Sequence, residues 1–241
     1  MIAIALDSNI WIYIAKSKYS AMLKNIKKII EKKDAIILIN GIVKKEWDRN
    51  EDQTKKDFAH VVKSFYNEAK MIKDLLPKDD YQTDCQSFFS KIQSSPTWID
   101  DIVDRRISMI KDVMSLCEDV PYTDKQKLYV ADLAIEKKGP FIRNKNNFND
   151  ALILRSFSEH VEKKNDIYNE FIFATSNEKD FIDSSTNKIY PEIIKDINVK
   201  IDNVKDFAEA LKKLPDVIES EKLDTEIDSW IDWQAELAMG K

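Results

Sequence analysis

Glycine is scarce in this 241-residue chain, with three in all, and there are six prolines. So little of either argues against disordered linkers. Neither a G-x-x-x-x-G-K-[ST] nor a G-x-G-x-x-G pattern occurs, which excludes the common loops that cradle nucleotide phosphates. Cys85 and Cys117 are the only cysteines, and His60 and His160 the only histidines. No C-x-x-C, H-x-x-x-H or H-E-x-x-H spacing arises from them, so a zinc site built from thiolates or imidazoles is not expected. Any metal would have to be held by carboxylates, which suits Mg²⁺ or Mn²⁺. No apolar run approaches the roughly 20 residues needed to span a bilayer, and the N-terminus lacks a basic flank and a small-residue cleavage site. The expectation is a cytoplasmic protein with no membrane partner. A net charge of −5 and a pI near 5.3 argue against a broadly basic nucleic-acid binder. Hydrophobic residues make up 43% and charged residues 34%, a globular balance.

Organisation begins with residues 2–14, IAIALDSNIWIYI, an apolar run broken by Asp7-Ser8-Asn9. A strand buried on both faces reads as a short continuous apolar run, so residues 2–6 suit the centre of a sheet. Asp7 marks its carboxyl end, the edge at which open α/β sheets bind ligands. An ionised carboxylate beside a buried strand is costly unless a cation or hydrogen bonds meet it. Asp7 or Ser8 also fits the cap of a helix opening at Asn9 or Ile10. Met22, Ile26, Ile29 and Ile30 recur at helical spacing, and residues 35–39, AIILI, read as a second buried strand. Strand, helix, strand in that order is a βαβ unit, hence an α/β fold with a parallel sheet. Glu46 lies about one turn into the helix that follows; taken alone it is an ordinary solvated residue.

Residues 52–121 lose strand-like runs and carry helical stripes such as Phe58, Val61, Val62 and Phe65, the pattern of an inserted subdomain of two or three helices. A further helix is expected over 125–137. The polar loop 141–148 precedes a helix whose start carries Asp150, a position that an acid also favours because it complements the helix dipole. Residues 171–175, FIFAT, make a third buried strand, followed by Ser176-Asn177-Glu178-Lys179-Asp180-Phe181. Tyr190-Pro191 suggests a helix start and 199–201 a short edge strand. Val204, Phe207, Leu211 and Leu214 suggest an amphipathic helix, and 216–241 a C-terminal helical extension bearing Trp230 and Trp233. The whole of 1–241 reads as one domain.

Asp7, Glu46, Asp150 and Asp180 obey one positional rule: each stands at a strand end or near the start of the helix beyond it. In a parallel sheet those places converge on one edge, and four carboxylates sharing a pocket repel one another unless divalent cations occupy it. Metal-assisted phosphodiester hydrolysis calls for such an arrangement and needs no histidine base. Asn9, Thr175, Ser176 and Asn177 would orient the carboxylates and water. Arg143 and Lys145 are placed to meet a phosphate.

With Asp7-Ser8-Asn9 after the first strand, Glu46 after the second, Asp150 at a late helix start and Thr175 to Phe181 after a late strand, the sequence resembles the PIN-domain nucleases. The resemblance covers residues 1 to about 50 and 125 to 200. It implies a three-layer α/β/α fold around a parallel sheet and Mg²⁺- or Mn²⁺-dependent cleavage of nucleic acid, most often single-stranded RNA. The four acids would be the metal ligands. Many members carry Thr-x-Asp-x-Asp-Phe before the last acid; here one register places Ser176, Glu178 and Asp180, and another Thr175, Asn177 and Asp180. The long insert resembles the larger branch of the family more than its compact toxin members. The expectation is therefore an endoribonuclease of toxin–antitoxin or phage-defence type, which a regulatory protein or homo-oligomer could accompany. Two other readings are a PIN-like scaffold that binds RNA or protein without cleaving, and a phosphohydrolase of haloacid-dehalogenase type with Asp7 as nucleophile. Asn9 stands where that latter family has its second aspartate.

Overall fold

Ile2–Leu6 forms strand β1, and Ala3, Ile4, Ala5 and Leu6 have no exposed surface. The reason is its place in the sheet. It pairs in parallel with β2 (Ala35–Ile39) on one side and with β4 (Glu170–Ala174) on the other, so both edges and both faces are covered. In the computed structural model, residues 1–17, 21–33, 35–75, 80–143, 147–183, 185–186 and 188–214 are described.

Along the chain, β1 leads to helices α1 (Ser8–Lys16) and α2 (Ala21–Lys32), then to β2. Helices α3 (Gly41–Leu75), α4 (Asp80–Ser94) and α5 (Trp98–Leu116) follow, then strand β3 (Glu118–Asp119), helix α6 (Asp124–Ile135) and a single 3₁₀ turn at Phe141–Arg143. Helix α7 (Phe148–Lys163) returns the chain to β4. Beyond it lie α8 (Glu178–Phe181), the antiparallel pair β5 (Ile182–Asp183) and β6 (Lys188–Ile189), β7 (Ile201–Val204) and α9 (Phe207–Leu211). The five-stranded sheet has the order β3-β2-β1-β4-β7, and every pairing in it is parallel. Helices flank it, giving the three-layer α/β/α architecture expected. The chain builds outward from β1 to β3 on one side and then returns to place β4 on the other. That reversal makes the carboxyl ends of β1 and β4 the topological switch point, where open α/β sheets form their ligand crevice.

Several boundaries differ from those the sequence suggests. Strand β3 lies within 52–121, where no strand was expected; two residues are too few to show any periodicity, and its register is fixed by pairing Leu38 with Glu118 and Ile39 with Asp119. Helix α3 is 35 residues long and runs through residue 52 without a break. Trp47, Phe58 and Val62 are buried along it. Residues 191–196 are turns, not a helix, with Asp196 in the left-handed region at φ 62°. The edge strand lies at 201–204 and takes Val204 with it. Asp206, whose side chain accepts from the Glu209 amide at 2.8 Å, then starts a shorter helix. The tail 216–241, with Trp230 and Trp233, lies outside the described residues. Among the described residues no helix is long and apolar enough to cross a membrane.

One buried side chain ties the sheet to the helices that carry the acids. Asn40, between β2 and α3, accepts through Oδ1 from the amides of Ile42 (3.1 Å) and Val43 (3.0 Å), which caps α3. Its Nδ2 donates to Ser156 Oγ of α7 at 3.0 Å. Replacing Asn40 with Ala leaves two amides and a hydroxyl short of partners in a site with no solvent access. We expect Asn40→Ala to lower unfolding free energy by about 2 kcal/mol in urea titrations. A loss below about 0.5 kcal/mol would show that water or a neighbour replaces it.

Candidate active site

Asp7 is the first residue past β1, and its amide still extends the sheet ladder by donating to Ala174 O at 3.0 Å. Its carboxylate is 1% exposed. It caps α1, with Oδ1 accepting from the Ser8 amide at 2.7 Å, so the helix-cap reading holds. The same group does more than cap. Its Oδ2 accepts from Thr175 Oγ1 at 3.0 Å and faces Asn9 Nδ2 at 3.5 Å. Thr175 is the first residue past β4, so this contact joins the two strand ends at the switch point.

Glu46 lies in the second turn of α3. Ser8 Oγ donates to its Oε2 at 2.6 Å and stands 3.3 Å from Asp7 Oδ1, so one hydroxyl bridges two acids. Asn149 Nδ2, from the first turn of α7, donates to Glu46 Oε1 at 2.9 Å. The next residue, Asp150, is half-buried. Burial, followed by the negative charges of Asp7, Asp180 and Glu46, pushes its carboxyl up to about 7. All three other acids act on Asp150, so the four share one electrostatic site. Burial raises Asp7 to about 6 against the lowering effect of its hydrogen bonds from Thr175 and Ser8, with Glu46 adding to the rise.

Asp180 is buried in α8 and accepts from Asn177 Nδ2. The Asn177 amide in turn donates to Thr175 Oγ1 at 3.1 Å. Phe181 anchors this turn edge-on to Phe173 of β4, with ring centroids 4.9 Å apart. Thr175, Asn177 and Asp180 are thus joined in one chain of hydrogen bonds. Ser176 is exposed. The side chains of Glu178 and Arg143, and all of Lys145, lie outside the described residues. Ser8 and Asn149, the two neutral bridges to Glu46, were not singled out from sequence. Their only signal there was adjacency to Asp7 and Asp150.

Among the described residues, no three carboxyl, imidazole or thiol groups are clustered tightly enough to ligate one ion as they stand. The donor set nevertheless fits a hard divalent cation. It is all oxygen, and the carboxyls of Asp7 and Asp150 are raised by burial and then by neighbouring negative charge, a charge that a cation offsets.

Fold and site together define a parallel α/β protein with an acidic crevice at the switch point of its sheet. A family model described as PIN domain matches residues 4–181, a span that contains all four acids. The chain belongs to the PIN-domain family, whose members are generally nucleases. That membership displaces the haloacid-dehalogenase reading of Asp7. No match was found among curated proteins or solved structures.

The raised carboxyls make a stability prediction. Both exceed their ordinary value of 3.8, so between about pH 4 and 7 the folded protein binds more protons than the unfolded chain. The metal-free fold is therefore most stable below pH 4 with respect to these groups, and that stability is lost as pH rises toward 7. In EDTA, Asp150→Asn removes one of the crowded charges. It should stabilise the protein at pH 8 by about 1–3 kcal/mol and flatten the pH dependence of its unfolding midpoint. An unchanged slope would show that the acids are too far apart to matter.

Proposed function

We propose that this protein is a metal-dependent nuclease that hydrolyses phosphodiester bonds of single-stranded RNA, with Asp7, Glu46, Asp150 and Asp180 holding Mg²⁺ or Mn²⁺. The observation that carries the reading is the convergence of four carboxylates at one strand edge, felt by Asp150 as the charge of all three others. Membership of the PIN-domain family supports the reaction class. When bound, the divalent cation supplies charge neutralisation at the phosphate and acidification of water. The chain's own residues fix the geometry of the acids. Thr175 and Ser8 hold both oxygens of Asp7, so that carboxylate has little rotational freedom. Ser8 and Asn149 hold the two oxygens of Glu46, and Asn177 holds Asp180. These neutral donors orient Asp7, Glu46 and Asp180 without cancelling their charge, which leaves the negative potential available to a cation. Burial sharpens that potential, because water screens it poorly there.

The second reading, a scaffold that binds RNA without cleaving it, draws on the spacing of the acids, no three of which are clustered among the described residues. Manganese calorimetry separates the two: the nuclease reading requires Mn²⁺ binding that Asp7→Asn abolishes. In the cleavage assay, single-stranded RNA should be cut in Mn²⁺ and left intact in EDTA. Asp7→Asn and Asp180→Asn should each reduce the rate at least about 100-fold, and Thr175→Val, which frees Asp7 Oδ2, by about 10- to 100-fold. Cleavage that persists in EDTA or in Asp7→Asn would overturn the proposal.

A further inference from the structure

Beside the acids, between α3, α6 and the start of α7, opens a cavity of about 600 Å³. Its lining combines three cations, Lys45, Arg49 and Lys127, with the rings of Tyr122 and Phe148 and the amide of Asn149. Asn149 is shared with the acidic site, since it donates to Glu46 Oε1 at 2.9 Å. Arg49 is also close to it, at 3.9 Å from the same oxygen. The cavity therefore adjoins Glu46 through two of its lining residues and carries three cationic side chains.

We infer that this cavity is a nucleotide subsite: it receives one unpaired base and its phosphate from the strand whose backbone lies at the acids. The inference rests on the nuclease reading above and names how its substrate is gripped. A volume of about 600 Å³ lies within the range of small-ligand sites and admits a nucleotide. Tyr122 is half-buried, and its Cε1 lies 3.6 Å from where a Cβ on Gly41 would stand, so the ring is braced against the start of α3. Phe148 is half-buried in the first turn of α7 and packs against the core. Braced aromatic rings offer stacking surfaces that accept any base. Such surfaces are reached only by bases splayed out of a strand, because a duplex keeps its bases stacked inside.

The cations suit the phosphate. Lys127 stands 5.2 Å from the Tyr122 ring centroid and is paired with Asp124 at 2.8 Å. The Arg49 side chain is 65% exposed while lying within ion-pair reach of Glu46. Asp48 is the one acid in the lining; with Lys127 paired to Asp124 and Arg49 near Glu46, Lys45 is the cation of the lining left without an ion-pair partner among the described residues. A crevice of four carboxylates repels nucleic acid on its own. A cationic wall next to it gives the strand a place to bind and a direction in which to lie.

The test measures fluorescence anisotropy of a short fluorescein-labelled single-stranded RNA, and of its duplex, on full-length protein carrying Asp150→Asn to suppress cleavage. Tyr122→Leu should weaken single-strand binding at least about fivefold, and Tyr122→Phe should restore it. Lys45→Gln, a change at an exposed position, should weaken it several-fold and reduce its salt dependence. Duplex RNA should bind more weakly and be indifferent to Tyr122. Single-strand affinity that is unchanged in Tyr122→Leu overturns the subsite; Lys45→Gln decides in its place if Tyr122→Leu fails to fold. Manganese calorimetry on the wild-type chain reports separately on the acids. Normal Mn²⁺ binding and cleavage with Tyr122-independent affinity removes the subsite and leaves the nuclease. Tyr122-dependent affinity without Mn²⁺ binding removes the nuclease and leaves the subsite.

Discussion

Much of this architecture follows from seating one carboxylate, that of Asp7, at the end of the most buried strand. An acid there loses nearly all contact with water, and the fold answers with hydrogen bonds in place of a counter-charge. The Ser8 amide, Thr175 and Asn9 approach its two oxygens from the start of α1 and the end of β4. Those donors do not neutralise it. Its carboxyl remains raised by burial, and the charge of Glu46 adds to the rise. The strand order makes the convergence unavoidable. With β1 at the centre and β4 crossing to its far side, the ends of both strands and the starts of α3 and α7 face the same crevice.

What keeps the acids from relaxing apart is the packing beneath them. Asn40 joins the start of α3 to α7 through Ser156, so Glu46 and Asp150 ride on helices tied to one another one layer below the crevice. Arg155 of α7 reaches the other way, donating to the carbonyls of Ile193 (3.1 Å) and Lys195 (2.7 Å) and lying 4.3 Å from the Tyr129 ring centroid. Buried polar links of this kind resist displacement because breaking them strands a desolvated group. A helix fixed at several points along its length presents its first turn in a definite place.

The strands β1 and β2 were legible to the residue because central parallel strands leave an uninterrupted apolar signature. The four acids were legible because each follows such a strand or opens a helix. The parts that escaped did so for physical reasons. β3 is two residues held by its neighbour, and nothing in Glu118-Asp119 is strand-like. Ser8 and Asn149 read as ordinary helix-start residues, and their bridging depends on bringing positions 8, 46 and 149 together, which only the folded chain does. The choice between Thr175-Asn177 and Ser176-Glu178 hinged on where β4 ends. The strand stops at Ala174, which puts Thr175 against Asp7 and turns Ser176 outward. The cationic cavity was invisible because its lining comes from α3, α6 and α7, none of which carries a basic run at that point.

Contrast among the acids locates the chemistry more sharply than their positions do. Glu118 is also drawn in from solvent, yet it accepts from Lys164, Tyr168 (2.9 Å) and His160 (2.6 Å), and these donors hold its carboxyl below the ordinary range despite the opposing effect of burial. Glu51 is lowered likewise by Lys111 and Lys55, and Asp202 chiefly by Lys213. Each of these acids is stabilised in its ionised form by the chain itself. Among the described residues the carboxyls driven upward are Asp7 and Asp150, at one edge of one sheet. The fold pairs Glu118, Glu51 and Asp202 with lysines but supplies only neutral donors to Asp7, which leaves that carboxylate short of a complement from the described residues. Under the proposed function a divalent cation would supply that complement and bring the substrate phosphate with it, so that the carboxylate edge and the adjoining cavity would serve as a single surface.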